Sequence, residues 1–289
     1  MKASATCHGA GTIANAIATG KGAAFGISLE TRAHASLNDK GTFRAIIDSQ
    51  SDEDTTLMIL CAKKVLDHLR LPYGADIRTE SDIPIAAGLK SSSTAANAVA
   101  LATMEAAIRS GDAKKIDDLK LIRLAVEAAV EANVTVTGAF DDAAASYFGG
   151  YVITDNAKRR IIKKGKMDES LHVIIHVPEK RRYTAKVDVS RMKLLSSEVM
   201  AAWDLAKKGK LFTAINTNGL LYSAALGEDP NIPLAALEAG AVAAGLSGKG
   251  PAVIALTRSD PEKIVDVWQA FEGKIIQAEI NNRKARVLK

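Results

Sequence analysis

Apolar and polar residues along this chain repeat with two different periods, which predicts a mixture of strands and helices. Between 22 and 37 the apolar residues alternate, and we interpret this stretch as strand, turn and strand. In the segment 52–69, Leu57, Cys61 and Val65 instead follow the 3.6-residue period of a helix, and acidic residues open it. The same criteria predict further strands at 2–8, 42–48, 75–79, 150–154, 172–177, 252–257 and 274–280. They predict further helices at 92–109, 116–131, 190–207, 210–226 and 261–271. The expected fold class is therefore α+β.

Length and composition add a domain count and a cellular location to this picture. The 289 residues can bury a large core and favour two packed domains, and we set the boundary between 160 and 161. The charged fraction of 25% and the hydrophobic fraction of 47% are ordinary for a soluble globular protein. The chain has no apolar run of about 18 residues, and its two cysteines lack metal-ligand spacing. We therefore expect a cytoplasmic protein that does not associate with membranes.

Net charge and aromatic content narrow the class of partner. The formal net charge is +5, which suits a protein that handles small anions as well as one that binds a polyanion. Aromatic residues make up 4% of the chain, which leaves few side chains on which nucleic-acid bases could stack. We therefore expect small-molecule ligands and no nucleic acid.

The segment 84–94, Pro-Ile-Ala-Ala-Gly-Leu-Lys-Ser-Ser-Ser-Thr, has the composition of a phosphate-binding loop. Gly88 permits a tight turn and close approach of a ligand to the backbone. The serines come at the start of a predicted helix, where unpaired N–H groups and the positive end of the helix dipole attract anions. A capped helix is the alternative, but capping requires one serine and gives no reason for Lys90. The sequence favours a phosphate site.

Two adjacent carboxylates, Asp141 and Asp142, follow a Thr-Gly turn and open an alanine-rich segment that ends in Gly149-Gly150. Acidic residues near a helix N-terminus are ordinary stabilisers, so this position alone does not imply chemistry. A carboxylate beside an acceptor hydroxyl would orient it and accept its proton during phosphoryl transfer. The residues themselves do not distinguish which of the two would act as the base.

A second glycine-rich segment, 9–14, matches the Gly-x-Gly-x-x-Ala pattern of dinucleotide-binding turns, and Glu30 lies about twenty residues on. This pattern supports a rival hypothesis, a nicotinamide-dependent dehydrogenase. The fingerprint requires a long helix after the glycines, whereas Gly20, Gly22 and Gly26 interrupt the sequence that follows. The pattern is therefore weak evidence for a dinucleotide site.

Three motifs together resemble the GHMP kinases, the family of galactokinase, homoserine kinase, mevalonate kinase and phosphomevalonate kinase. Pro-x-x-x-Gly-Leu-x-Ser-Ser at 84–92 is similar to their central phosphate loop, although the family commonly has glycine where Lys90 stands. The acidic pair is similar to a segment in which the family carries Asp followed by Gln or Asn. Gly-Lys-Gly-Pro at 248–251 is similar to their third motif. Gly-Leu-Lys-Ser-Ser-Ser and the run 11–27 are most similar to one branch, the archaeal-type shikimate kinases.

The resemblance implies a GHMP-kinase-like α+β fold, with a ferredoxin-like C-terminal domain and the active site in the cleft between the domains. It implies ATP and Mg²⁺ as cofactors, with Asp141, Asp142 and Lys90 as catalytic residues. Substrate-binding positions would be Thr12, Asn15, Lys21, Gly248 and Gly250. The Mg²⁺ ligands would be Ser92 and Glu131, with Glu127 as the alternative to Glu131. The ATP phosphates would be bound by the loop residues Pro84, Ile85, Ala86, Ala87, Gly88, Leu89, Lys90, Ser91, Ser92, Ser93 and Thr94.

The expected reaction is that of a small-molecule kinase, ATP plus shikimate giving ADP and shikimate 3-phosphate in aromatic amino-acid biosynthesis. A basic residue would hold the shikimate carboxylate; Lys21 is a candidate, but the sequence does not show which basic residue it is. The motifs determine the phosphate donor rather than the acceptor, so homoserine and mevalonate are alternative acceptors. A non-catalytic small-anion-binding protein is a third possibility, against which the retained Asp141-Asp142 pair argues.

Overall fold

The structure is a computed structural model that describes residues 1–48, 53–135, 137–179 and 189–289. The strands are β1 (Lys2–Ala14), β2 (Lys21–Asn38), β3 (Phe43–Ile47), β4 (Gly74–Ser81), β5 (Tyr151–Asp155), β6 (Arg160–Gly165), β7 (His172–Val177), β8 (Ala243–Leu246), β9 (Val253–Thr257), β10 (Lys274–Glu279) and β11 (Arg286–Leu288). The helices are α1 (Thr56–Leu69), α2 (Ser91–Arg109), α3 (Asp118–Glu131), α4 (Phe140–Phe148), α5 (Val189–Lys193), α6 (Ser196–Lys207), α7 (Leu211–Leu226), α8 (Asn231–Glu238) and α9 (Glu262–Trp268).

Within the described residues, the strands form two sheets. The larger sheet has the order β11-β1-β2-β4-β3, and β5 joins it by pairing with the first part of β2, with β6 beyond it. The smaller sheet is antiparallel, in the order β10-β7-β9-β8. The predicted domain boundary at 160/161 falls at the start of β6, which pairs with β5 in the larger sheet. The last strand, β11, also returns to the larger sheet and pairs with β1.

The two long strands β1 and β2 differ from the prediction, and the difference removes the dinucleotide motif. The stretch 22–37 is one continuous strand without an internal turn. The segment 9–14 lies inside β1, where Gly11 pairs with Phe25. A Cβ on Gly11 would lie 2.6 Å from that phenylalanine ring, so this glycine serves strand packing. Because a dinucleotide fingerprint requires a glycine turn that opens a helix, the dehydrogenase alternative is wrong.

Helices α1, α2 and α4 pack against the larger sheet, α3 packs against these three helices, and together they bury an alanine-rich core. Helix α2 is central to it, because small residues such as Ala98, Ala100 and Ala102 are buried on several of its faces. Small side chains allow the backbone of α2 to approach β1 and β2 closely, so the position of its N-terminus is well determined by packing. A second cluster, which includes Phe25, Leu89 and Ile254, joins the two sheets. In the part of the chain that the structure describes, no helix is long and apolar enough to span a bilayer.

Candidate active site

The phosphate-loop segment turns sharply and ends at the N-terminus of α2, as the sequence predicts. Gly88 has φ 89°, and a Cβ there would lie 2.2 Å from the carbonyl oxygen of Ser247, so only glycine fits this turn. Lys90 is the N-cap of α2, also with a left-handed φ of 70°, and Ser91, Ser92 and Ser93 form the first turn. Their backbone N–H groups therefore lie where a helix offers unpaired donors and a positive dipole end.

A polar cavity of about 130 Å³ opens in front of this helix N-terminus. Its walls come from the end of β1, the phosphate loop, the α3–α4 connection, the start of α4 and the turn between β8 and β9. Of the residues predicted to bind or catalyse, those that line it are Thr12, Asn15, Ala86, Gly88, Lys90, Ser91, Ser92, Ser93, Asp141, Asp142, Gly248 and Gly250. The three sequence motifs therefore meet at one place, although about 160 residues separate the phosphate loop from the Gly-Lys-Gly-Pro turn.

Hydrogen bonds attach the turn between β8 and β9 to the phosphate loop. Ser247 Oγ donates to the Gly88 carbonyl at 2.9 Å, and the Ala252 N–H donates to the Ala87 carbonyl at 3.0 Å. Gly248 N–H donates to Thr12 Oγ1 at 2.8 Å, while Asn15 Nδ2 donates to the Gly248 carbonyl at 2.7 Å. Thr12 and Asn15 thus hold the walls of the cavity together as well as lining it.

Asp141 is buried near the start of α4, with 3% of its surface exposed. Asn156 Nδ2 donates to Asp141 Oδ1 at 2.7 Å, and the Asp141 N–H donates to Asn156 Oδ1 at 3.2 Å. The pKa of the Asp141 carboxyl is raised to about 7, chiefly by burial and then by the Asp142 charge, against the opposing effect of Lys90. Gly22 of β2 makes room for this carboxyl, because a Cβ at residue 22 would clash with the carboxyl atoms. A carboxyl with a pKa near neutral is suited to accept a proton.

Asp142 differs from its neighbour in both exposure and partner. Its Oδ1 lies 3.1 Å from Lys90 Nζ, and 17% of its side chain is exposed. Lys90 Nζ also donates to Thr12 Oγ1 at 2.8 Å, and 6% of the lysine side chain is exposed. The geometry therefore separates the two aspartates: Asp141 is bound by an amide, and Asp142 is bound by an ammonium group.

Lys249 is a residue of the cavity that the sequence analysis missed. It lies between Gly248 and Gly250, whose φ values are 61° and 71°, and its half-buried side chain lines the cavity. The pKa of its ammonium group is lowered to about 8, chiefly by burial and then by the Lys90 charge, against the opposing effect of Asp142. The signal was present in Gly-Lys-Gly-Pro, since a lysine between turn glycines beside a phosphate loop indicates a cation directed at an anion.

Two predicted residues lie away from the polar cavity. Lys21 forms an ion pair with Asp155 and lies over the ring of Trp203, so its placement does not support a carboxylate-binding role. The side chain of Glu131 is about half exposed, and its carboxylate lies 2.7 Å from Lys64 Nζ, so its placement does not support a Mg²⁺-binding role. The alternative, Glu127, pairs with Arg159 at 2.9 Å.

The remaining phosphate-loop residues support the loop from behind. Leu89 and Ala87 are buried in the core, and Thr94 Oγ1 donates to the carbonyl oxygens of His8 and Lys90. Ile85 lines a second, apolar cavity of about 330 Å³ on the other side of the loop, whereas Pro84 lines neither cavity. The two cavities share Ala86, Ser91, Ser92 and Val134, so they form one continuous depression. The apolar lining of the second includes Ile47, Leu57, Met58, Ile85 and Ala95.

Comparison with known proteins identifies the family. The model of the GHMP kinases N terminal domain matches 56–150, and that of the GHMP kinases C terminal matches 234–274. The chain is 44% identical to a shikimate kinase of Methanothermobacter thermautotrophicus, over 100% of this chain and 99% of that protein. The chain belongs to the GHMP kinases. It is also 44% identical to a shikimate kinase of Methanothrix thermoacetophila, over 99% of this chain and 96% of that protein.

Solved structures of GHMP kinases confirm the predicted α+β, two-domain fold. The homoserine kinase of Cytophaga hutchinsonii superimposes with a TM-score of 0.75 at 17% identity, over 99% of this chain and 97% of that one. The mevalonate kinase of Methanococcus jannaschii gives a TM-score of 0.74 at 16% identity, over 97% and 98%. At such identities the likeness shows the fold alone. Membership of the family makes this chain an ATP-dependent phosphotransferase, as the sequence predicted.

Proposed function

We propose that this GHMP kinase transfers the γ-phosphoryl group of ATP to the 3-hydroxyl of shikimate. The choice of acceptor is supported by full-length relatives named shikimate kinase, which are 44% identical to this chain. The structures named homoserine kinase and mevalonate kinase are 16–17% identical and support the shared fold without favouring their acceptors. The observation that carries the chemistry is the buried Asp141 carboxyl, which faces the same cavity as the N-terminus of α2.

The nucleotide is proposed to occupy both cavities. Its phosphates would lie against the first turn of α2, where Ser91, Ser92 and Ser93 supply backbone N–H groups and hydroxyls. Its base is a flat and largely apolar group, which suits the apolar cavity beyond the shared residues Ala86 and Ser92. Continuity between a polar and an apolar cavity on the two sides of a phosphate loop matches the two-part chemistry of a nucleotide.

Asp141 is the proposed general base, and Asp142 is proposed to act through Lys90. In the transfer, a new bond forms between the shikimate 3-oxygen and the γ-phosphorus, and the bond from that phosphorus to the leaving ADP oxygen breaks. The hydroxyl proton passes to the Asp141 carboxylate as the new bond forms. A pKa near 7 leaves a substantial fraction of this carboxyl ionised at neutral pH, which the reaction requires.

Mg²⁺ is proposed to be held by Ser92 Oγ together with phosphate oxygens and water. The described residues contain no group of three or more His, Cys, Asp or Glu side chains that would hold a metal. This fits Mg²⁺, which keeps several waters and uses few protein oxygens when it is bound with a nucleotide. When bound, the ion offsets negative charge on the phosphate oxygens.

The shikimate carboxylate is proposed to bind Lys249, in place of the Lys21 predicted from the sequence. The described basic residues that line the polar cavity are Lys90 and Lys249. Lys90 contacts Asp142 and Thr12, at the side of the cavity where the phosphates would lie. Lys249 lies on the turn between β8 and β9, which a hydrogen bond from the Gly248 N–H to Thr12 holds beside the same cavity. Shikimate carries a carboxylate as well as the reacting hydroxyl, so its binding requires an anion-binding group in the cavity besides those that bind the phosphates.

The reaction is tested by measuring ADP release from Mg·ATP with purified protein, offered shikimate, homoserine and mevalonate separately. We expect turnover with shikimate alone, with shikimate 3-phosphate identified by phosphorus NMR. Turnover with homoserine or mevalonate instead would keep the phosphotransferase chemistry and refute the acceptor. ATP binding without turnover of any of the three would refute the proposed reaction.

A further inference from the structure

The backbone at Lys90 is in a conformation that residues with a side chain rarely adopt. Its φ of 70° lies in the left-handed region, which glycine enters freely and which a Cβ disfavours. The position therefore suits glycine better than lysine on backbone grounds alone. A lysine here must contribute through its side chain, because its backbone conformation is unfavourable.

That side chain has one charged partner at hydrogen-bond distance. Lys90 Nζ lies 3.1 Å from Asp142 Oδ1 and 2.8 Å from Thr12 Oγ1, with 6% of the side chain exposed. An ammonium group so removed from water requires a nearby carboxylate, and removing one member of such a pair leaves the other uncompensated. The carboxylate in turn lies directly beside Asp141 in the chain, where a second negative charge opposes ionisation of the base.

We propose that Lys90 and Asp142 form a matched ion pair whose two charges offset one another beside Asp141, so that each residue is required because the other is present. This inference rests on the proposed role of Asp141 as the base. Asp142 disfavours the ionised form of Asp141, and Lys90 favours it. Either residue alone would change the charge of the base's surroundings, whereas the two together leave it nearly unchanged.

Other groups that face Asp141 remain constant in the test. Asn156 donates a hydrogen bond to it, and Tyr222 of α7 is near enough for Asp141 to raise the pKa of the phenol. Lys249 also lies near the pair: apart from burial, which is the largest cause, Lys90 lowers the pKa of its ammonium group and Asp142 raises it. None of these residues is altered in the variants below, so a change in the titration of Asp141 reports the effect of Lys90 and Asp142.

The variants are Lys90→Gly, Asp142→Asn and the double variant that combines them. Glycine removes the backbone strain at 90, and asparagine preserves the shape of the side chain at 142. The measurement is kcat/KM for shikimate against pH at saturating Mg·ATP, where activity rises as Asp141 ionises. Lys90→Gly should move the midpoint of this rise to higher pH, and Asp142→Asn should move it to lower pH, each by about one unit. The double variant should return toward the wild-type midpoint.

Two outcomes would overturn the proposal. Midpoints that move in the same direction in both single variants would show that the charges do not offset one another at the base. A double variant whose midpoint lies outside the range of the single variants would show that removing both charges does not cancel their effects on the base. Loss of phosphate affinity in Lys90→Gly lowers the rate at every pH and leaves the midpoint as a separate readout.

A second measurement does not depend on activity. The coupling between Lys90 and Asp142 is obtained from urea unfolding of the wild type, the two single variants and the double variant without nucleotide. The exposed pair Lys64 and Glu131 is the control, with Lys64→Met, Glu131→Gln and their combination. We expect a coupling corresponding to about a tenfold change in the folding equilibrium for the buried pair, and a smaller one for the control. A buried pair that couples no more strongly than the control would refute the pairing, whichever acceptor the enzyme uses.

Discussion

The two walls of the polar cavity are built differently. The wall from the N-terminal half presents the first turns of two helices, α2 and α4, with Asp141 and Lys90 held by several partners. The wall from the C-terminal half is a turn, Gly248–Gly250, that carries Lys249 and is hydrogen-bonded to Thr12 and Asn15. The proposed function assigns the donors and the base to the first wall and one cation for the acceptor to the second. Substitutions on the two walls should therefore affect different kinetic constants.

The largest effect is expected from Asp141→Asn, which removes the base from the first wall. We expect kcat to fall by about 10²–10⁴-fold, because the hydroxyl proton has no acceptor, while ATP binding is retained. Steady-state kinetics and titration calorimetry with an ATP analogue measure the two quantities. Asp155→Asn is the matched control, since that carboxylate lies outside the cavity in an ion pair with Lys21. Turnover near the wild-type rate would show that Asp141 is not the base.

Gly22→Ala tests whether the first wall depends on the exact position of the base. A Cβ at this residue would collide with the Asp141 carboxyl, which must then move. Displacement of a catalytic group by about 1 Å lowers kcat on the order of 10²-fold, and nucleotide affinity should change little. Gly9→Ala is the control, because its Cβ would meet flexible isoleucine side chains at 3.2 Å, away from the cavity. Equal effects in both variants would indicate general destabilisation instead.

Lys249→Met tests the second wall. We expect the KM for shikimate to rise by about ten- to a hundredfold, because a charged hydrogen bond to the carboxylate is lost, while the KM for ATP changes little. Lys263→Met, on the exposed face of α9, is the control for loss of a lysine in the C-terminal half. A rise in the KM for ATP without a change for shikimate would assign Lys249 to the phosphates and remove the distinction between the walls.

The buried base also makes a prediction about stability. The pKa of Asp141 is about 7 in the folded protein and about 3.9 for an unfolded aspartate, so the folded state holds this proton to higher pH. Its contribution to the free energy of unfolding is therefore largest near pH 4 and is lost as the pH rises to 7. The free energy of unfolding of Asp141→Asn, measured relative to that of the wild type, should increase by a few kcal/mol between pH 4 and pH 8, by about 4 kcal/mol at most. Denaturant unfolding of both proteins at pH 4 and pH 8 measures this change. If the difference in unfolding free energy between variant and wild type were the same at both pH values, the raised pKa of Asp141 would be contradicted.

The smallest effect is expected from Lys21→Met. Its ammonium pairs with Asp155 outside the cavity, so the KM for shikimate should stay within about twofold of the wild-type value. The side chain is about one third exposed, and any loss should appear in thermal stability instead. A rise in KM comparable with that of Lys249→Met would restore the assignment predicted from the sequence.

Much of the first wall was predictable because its chemistry is local. Gly88, Lys90 and the three serines are adjacent in the chain, and a helix N-terminus binds anions for reasons that lie in a few consecutive residues. The acidic pair was recognisable for the same reason, and α2, which begins at the end of the phosphate loop, lies close to its predicted bounds of 92–109. The resemblance of the three motifs to those of one family predicted that these segments would meet in one active site.

Lys21 and Glu131 lie away from the cavity for a common geometric reason. Lys21 precedes Gly22 on a strand, where successive residues point to opposite faces, so the contact of Gly22 with Asp141 directs Lys21 away from it. Glu131 follows the cavity residue Ala129 by two positions on α3, about 200° around the helix, and therefore meets Lys64 instead. Both predictions rested on spacing in the chain, which does not show the face on which a side chain lies.

The sequence by itself determined the fold class, the phosphate loop and the carboxylates, because periodicity and helix termini are properties of neighbouring residues. The tertiary structure decided which side chain of each motif enters the cavity, that Asp142 pairs with Lys90 and Asp141 with Asn156, and that Lys249 faces them. It also decided that the glycines at 9–14 pack within a strand. These outcomes depend on contacts between residues from 15 to 236 positions apart in the chain, and on burial, neither of which appears in local spacing.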